Sequence, residues 1–263
     1  MVKELAKRAL FAFRNVDFGY EGRPLLVKNL SFAIGFGQSV ALLTTEGAGR
    51  STLLKLMLGI LAPNRGQVFV NEFPIAKLPD SVIQNYRAQV GFLVGNGGLI
   101  SNLTIFENVA LPLRYHSHFS DEMIEVHVSQ ILAQFRIAPY QHLRPAFVSE
   151  YVRCIAGIAR ATVMSPPAFL VDNIFDGLSR KHVVQAVAHL QRIRDVSEAA
   201  FVYTANDPEL LYHLTDRVLF LHEGQLVFDG SFDDFFQSPS DVIQAYLKET
   251  FVQKELHVRK AAG

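Results

Sequence analysis

Cys154 is the only cysteine in this 263-residue chain. A lone thiol cannot build an internal disulfide framework, and it fits a reducing compartment. Net charge is lacking as well, because 25 Lys plus Arg balance 25 Asp plus Glu. No global field therefore steers the chain toward nucleic acid or an anionic membrane. The N-terminal stretch does not combine a basic segment, an apolar core and a small-residue cleavage site, which argues against secretion. A membrane span is missing too. Ala88 to Phe106 is uncharged and long enough in principle to cross a bilayer. Yet it holds Gly91, Gly95, Gly97 and Gly98 with Asn96, Asn102 and Gln89, so it reads as a buried strand running into a loop. There is no internal repeat or low-complexity segment. No Cys/His spacing of zinc type surrounds His116, His118, His127 and His142, which read as surface histidines.

What is there fits a folded globular protein, with 49% hydrophobic and 19% charged residues. The length suits one α/β domain with a smaller lobe inserted. Leu10 to Phe18 and Leu26 to Ile34 read as strands around a Gly-Tyr-Glu-Gly turn, and Gln67 to Val70 with Asn71-Glu72 as a short hairpin. Ser39 to Thr44, Phe169 to Asp172 and Ala200 to Thr204 are apolar runs of the kind buried on both faces of a parallel sheet. Arg217 to Phe228, broken at His222-Glu223-Gly224, closes as an antiparallel hairpin. Helical periodicity covers Ser51 to Ile60, Ser120 to Phe135, Glu150 to Met164, Ser179 to Arg194 and Asp241 to Lys254.

The strand at Ser39 runs through a glycine-rich turn straight into the helix at Ser51. A phosphate loop has this form: strand, Gly-x-x-x-x-Gly-Lys-Ser/Thr, helix. Its backbone N–H groups wrap phosphates, its lysine reaches the outer oxygens and its hydroxyl ligates magnesium. Here the stretch is Thr44-Thr45-Glu46-Gly47-Ala48-Gly49-Arg50-Ser51-Thr52. Gly47 and Gly49 keep the backbone frame, and Ser51 and Thr52 open the helix. Thr44 replaces the first glycine and Arg50 the lysine, which is not a conservative exchange. Glu46 places a carboxylate inside an anion cradle.

Further segments, in order, resemble the ABC ATPase family from Phe11 to about Leu247. Tyr20 stands where that family stacks an aromatic on adenine. Val90 to Leu113 resembles its Q-loop and following segment, Pro167 to Ser179 its Walker B and D-loop, and Leu219 to Ser231 its terminal hairpin. Phe-Glu-Asn-Val-Ala-Leu-Pro-Leu, Phe106 to Leu113, and the helix after Asp241 look most like the ATPase subunit of Mla-type phospholipid transporters. The resemblance implies a P-loop α/β core with a mostly parallel sheet, an N-terminal antiparallel lobe and an inserted helical lobe at about 97–165. It implies a domain at 10–247 and a tail at 248–263.

Catalytic positions carried over by resemblance are altered one after another. Asp172 matches the Walker B aspartate that holds magnesium, but Asn173 replaces the water-polarising glutamate. Ala205 stands for the H-loop histidine, Gly95 for the Q-loop glutamine and Ser179 for the D-loop aspartate. In the signature helix, Glu150 and Tyr151 replace two glycines, so a carboxylate and a large ring are expected to face the partner's phosphate. Phosphoryl transfer rests on positioning and charge stabilisation, so each lost group is a separate loss.

The resulting expectation is an ABC subunit with no catalytic residue of its own and negligible hydrolysis. ATP and Mg2+ would bind weakly through Tyr20, Gly47, Ala48, Gly49, Arg50, Ser51 and Thr52, with Ser51 and Asp172 as metal ligands. It would work as an ABC-type dimer beneath an integral-membrane permease contacted by Leu99 to Leu113, without nucleic acid, on the cytoplasmic face of the membrane. The rivals are an active ATPase with atypical residues and a soluble regulator with no permease.

Overall fold

The computed structural model describes residues 9–45 and 49–250. Among them, ten strands form two sheets. The first is antiparallel in the order β2-β1-β4-β5, from β1 (Ala9–Phe18), β2 (Val27–Gly35), β4 (Arg65–Val70) and β5 (Phe73–Pro74). Phe13 of β1 pairs with Phe32 on one side and Val68 on the other, and the two phenyl rings stack at 4.6 Å.

The second sheet has the order β10-β9-β3-β8-β7-β6. It is built from β3 (Ser39–Thr44), β6 (Val90–Val94), β7 (Ala168–Asp172), β8 (Ala200–Thr204), β9 (Arg217–His222) and β10 (Gln225–Gly230). Five of these strands run parallel, and β10 returns antiparallel as a hairpin on β9. The apolar runs exist because both faces are covered. Ala41, Leu43, Phe169, Val171, Phe201 and Tyr203 enter the core beneath the helices. Their neighbours Val40, Leu42, Ala168, Leu170, Ala200 and Val202 enter the core shared with the antiparallel sheet. Alternation with period two thus serves two apolar layers instead of one apolar and one wet face.

Seven labelled helices accompany the sheets: α1 (Arg50–Met57), α2 (Asp80–Ala88), α3 (Ile105–His116), α4 (Asp121–Gln134), α5 (Glu150–Thr162), α6 (Arg180–Val196) and α7 (Phe232–Phe236). A further helix covers residues 241–250. Ile105, Val109 and Leu113 of α3 interlock with Ile124, Val128 and Leu132 of α4 and with Val152, Ile155 and Ala159 of α5. Spacings of three and four place each set on one helix face. No helix among the described residues is long and apolar enough to cross a membrane.

Several expectations are corrected. Ala88 to Phe106 holds the expected strand running into a loop, but the strand is only half-buried and both ends of the segment belong to helices. Ala88 closes α2, β6 is a half-buried edge strand, and α3 begins at Ile105. The first helix stops at Met57, short of Ile60, because Gly59 turns left-handed at φ 63 and Arg87 of α2 caps the helix end through Leu58 O and Gly59 O at 2.9 and 2.7 Å. The outer part of the Asp241–Lys254 helix, and the tail beyond 250, lie outside the described residues.

Candidate nucleotide site

Parallel α/β sheets bind ligands outside the carboxyl ends of their strands. Here those ends belong to β3, β7 and β8, and Asp172 and Thr204 are register partners at two of them. β3 ends at Thr44, after which Thr45 N–H donates to Leu221 O at 3.3 Å. Gly49 then caps α1 with φ 82 and accepts from Leu53 N–H at 3.0 Å. A Cβ on Gly49 would come within 2.5 Å of Leu26 Cδ2, so both conformation and space require glycine. Glu46, Gly47 and Ala48 lie outside the described residues.

The first turn of α1 gathers the other expected contacts. Ser51 is exposed and Thr52 buried. The hydroxyls of Tyr20 and Thr52 lie 3.1 Å apart, which moors the Tyr20 ring beside the loop while its face stays partly open to solvent. Phe18 packs edge-on against that ring at 5.1 Å. Tyr20, Gly49, Arg50, Ser51 and Thr52 therefore meet in one place.

Across from them, Thr204 Oγ1 donates to Asp172 Oδ1 at 2.7 Å and orients the carboxylate. Asp172 is thus an oriented carboxylate and Ser51 an exposed hydroxyl, donor types that suit magnesium, which keeps several waters and takes few protein ligands. Ser51 and Asp172 are the residues that would hold the ion. Arg50, at the head of α1, is itself engaged. Its guanidinium donates through Nη1 to Ala205 O and through Nη2 to Asn206 Oδ1, the latter at 2.5 Å.

Asn206 passes that connection on. Its side-chain Nδ2 donates to both oxygens of Asp176, at 3.0 and 3.3 Å, and its backbone N–H donates to Asn173 Oδ1 at 3.3 Å. Asn173 Nδ2 in turn donates to Asp176. Asn173 sits in the left-handed region at φ 50, with its own N–H bound to Thr204 O at 3.0 Å. A chain of bonds thus runs Arg50–Asn206–Asp176–Asn173 over the strand ends. An amide fixed as acceptor on one side and donor on the other cannot take a proton from water. Ala205 is buried and offers only a methyl group, and a Cβ on Gly95 would lie 3.4 Å from Asn173 O. Of the altered positions, Arg50, Gly95, Asn173 and Ala205 lie together over the strand ends. Asn206 and Asp176 were not singled out from the sequence, since two polar residues in loops carry no periodic signal.

At the signature position, Ser149 caps α5 by accepting from Val152 N–H at 3.3 Å. Glu150 is exposed, 3.7 Å from Arg153, and its carboxylate would sit 3.1 Å from a Cβ on Gly177. Tyr151 is half-buried on the same helix. Its ring stacks on His182 of α6 at 4.6 Å and packs on its own core, because an aromatic face gains more from a neighbouring ring than from water. A second missed feature pins residues 96–98 to α5. Arg153 Nε donates to Asn96 Oδ1 at 2.7 Å, and Arg160 donates to Gly98 O and Gly97 O at 2.9 and 3.2 Å. Burial pulls the Arg160 guanidinium below its ordinary pKa.

Fold and site together define a P-loop nucleotide-binding cassette. The family model described as ABC transporter matches residues 27–176, more than half of the chain, and the chain belongs to that family. Among curated relatives, the methionine import ATP-binding protein MetN of Carboxydothermus hydrogenoformans is 26% identical, covering 94% of this chain and 74% of its own length. The intermembrane phospholipid transport system ATP-binding protein MlaF of Haemophilus influenzae is 24% identical, covering 91% and 90%. Among solved structures, a dimeric ATP-binding cassette in a post-hydrolysis state with ADP and Pi superposes with TM-score 0.76 at 22% identity, covering 84% of this chain and 98% of that one. The cbiO1 protein of Clostridium perfringens does so with TM-score 0.78 at 19%, covering 94% and 99%. At these identities the structural likeness establishes the P-loop α/β fold.

Proposed function

We propose that this chain is an ABC transporter ATP-binding subunit that hydrolyses ATP negligibly and serves its transporter as a scaffold or regulator. The observation that carries the reading is Asn173 at the end of β7, locked by Asn206 and Asp176 where a general base would have to stand. Weak binding of ATP and Mg2+ follows from the engagement of Arg50 by Ala205 and Asn206. The chain would work as a cassette dimer docked on an integral-membrane permease at the inner face of the membrane, with Leu99 to Leu113 at the contact. The MlaF relative, similar over nearly its whole length, and the Phe106–Leu113 segment favour a lipid cargo. The domain would span 10–247, with the helical lobe at about 97–165.

One observation favours the rival reading of a working ATPase. Asp176 brings a carboxylate to the side chain of Asn173 and could replace the missing base. Phosphate release by the purified full chain, run beside calorimetric titration of MgATP, separates the two. The expected result is weak binding and no release that depends on Asp172. Robust release that vanishes both in Asp172→Ala and in Asp176→Asn would establish the rival.

A further inference from the structure

A concavity of the size of a small-molecule pocket lies away from the nucleotide site. It lies at the opposite, N-terminal edge of the six-stranded sheet, about 15–20 Å away by the length of a five-residue strand. Its volume is near 530 Å3, inside the range of pockets that enclose small organic molecules. Phe36, Phe135, Phe169, Ile193 and Val196 supply apolar walls. Gln134 and Phe135 stand at the end of α4, Thr162 ends α5, and His189 to Val196 belong to α6. The cavity is therefore enclosed jointly by the helical layer and the sheet layer.

Its polar groups are unspent. Ser197 Oγ, on the lining, is buried and has no hydrogen-bond partner. Buried hydroxyls without a partner are uncommon, since each forfeits its bonds to water. Arg192 lines the same space and makes no hydrogen bond or ion pair among the described residues. His189, stacked obliquely on Phe135 at 5.1 Å, is held below its ordinary pKa by burial first, then by Arg192 and Arg136. The charged neighbours that act on it, Arg192 and Arg136, are both cations. Glu198 is the one acidic residue on the lining, and its backbone carbonyl faces Gly37.

We propose that this cavity binds a small amphipathic carboxylate, with its apolar body against Phe36, Phe135 and Phe169 and its carboxylate at the Arg192 and Ser197 end. A guanidinium and a hydroxyl donor satisfy the two oxygens of such a group, and the aromatic wall accepts a short acyl chain or a ring. The occupant touches α4 and α5 on one side and α6 on the other, so binding ties the helical layer to the sheet. The inference is independent of whether the nucleotide site turns over.

Titration of the full chain with decanoate, followed by calorimetry and by the imidazole resonances of His189, tests it. The expected result is saturable one-to-one binding that shifts His189, with decylamine of equal chain length at least about tenfold weaker. Arg192→Glu, at an exposed position, is expected to weaken decanoate about tenfold. Val196→Trp, at a site 82% exposed on the rim, should do the same by filling the mouth. The proposal is overturned by absence of saturable binding, by equal affinity for the amine, or by unchanged decanoate affinity in Arg192→Glu. Should Val196→Trp fail to fold, Arg192→Glu alone decides.

Discussion

Arg50 Nη2 lies 2.5 Å from Asn206 Oδ1, so the cation at the mouth of the phosphate loop is bonded to the end of β8 rather than left free for a ligand. With Nη1 on Ala205 O, both arms of the guanidinium fork are used. Lysine has one ammonium on a thinner stem and cannot span both acceptors. Arg50→Lys is therefore expected to bind MgATP more tightly, by about tenfold, as the freed charge turns to phosphate. Calorimetry checks this; unchanged or weaker affinity would show that the contact with Asn206 is not what limits binding.

Restoring the missing glutamate should not restore turnover. Asn173→Glu would replace the amide that donates to Asp176 by a second carboxylate at the same place. Two carboxylates in contact raise the pKa of the pair in the folded state above its unfolded value. The native state then binds more protons than the unfolded one, so the variant loses stability as pH rises from about 4 to 7, by about 1 kcal/mol after discounting for solvent. Thermal denaturation at the two ends of that range should show the variant falling further below wild type at the higher pH. Removing the second carboxylate with Asn173→Glu/Asp176→Ser should abolish the difference.

Gly97 and Gly157 face each other across the junction of β6 and α5. A Cβ on Gly157 would lie 2.7 Å from Gly97 Cα and from its carbonyl oxygen, both backbone atoms that cannot step aside singly. Gly157→Ala is expected to cost on the order of 2–4 kcal/mol, as overpacking in a rigid contact does. A drop in the midpoint of urea denaturation at unchanged slope would register it.

Much of the fold was open to sequence reasoning, and for one reason. The strands Ser39 to Thr44 and Ala200 to Thr204 are wholly buried, so hydrophobicity alone marked their limits. The helix α3 went unread although its signals were present. Thr104 and Glu107 form a reciprocal cap, with Glu107 N–H to Thr104 Oγ1 at 3.1 Å and Thr104 N–H to Glu107 Oε2 at 2.7 Å. Pro112 inside the helix and the glycines before it obscured that pattern. At the site, Asp172 was legible as the carboxylate that ends a buried strand, whereas its role and that of Asn173 came from the family resemblance. The bonds of Arg50 and the stacking of Tyr151 on His182 were not legible, because they depend on which loops meet in space.

The same unread segment hangs on Asn108, which is fully buried in the first turn of α3. Its Nδ2 donates to Ile100 O, Leu103 O and Thr104 O at 3.1, 3.2 and 2.9 Å, while Oδ1 accepts from Ile100 N–H at 2.7 Å. One side chain thus satisfies the backbone of the loop that enters the helix. Asn108→Ala leaves these groups unpaired, and a loss of roughly 2–4 kcal/mol in chemical denaturation is expected. Hydrogen exchange should show the Ile100 amide losing its protection first.

Cys154 offers a readout of the whole core. Its thiol is buried under α5, with Sγ 3.7 Å from Ile174 O, and burial pushes its pKa up to about 12 from an ordinary 9.0. The thiolate is the reactive form, so the native chain should resist a thiol-disulfide reagent at pH 8 and react fully once denatured. The sign of the linkage follows. Below pH 9 both states hold the proton and the thiol imposes no pH dependence. Between about 9 and 12 only the unfolded chain releases it, so stability falls as pH rises through that window. Cys154→Ala should flatten that part of the stability profile while leaving the neutral-pH reading lower by a small cavity penalty. A native thiol that reacted at pH 8 as fast as the denatured one would mean that α5 opens freely, and the rigid clamp between Gly97 and Gly157 would fall with it.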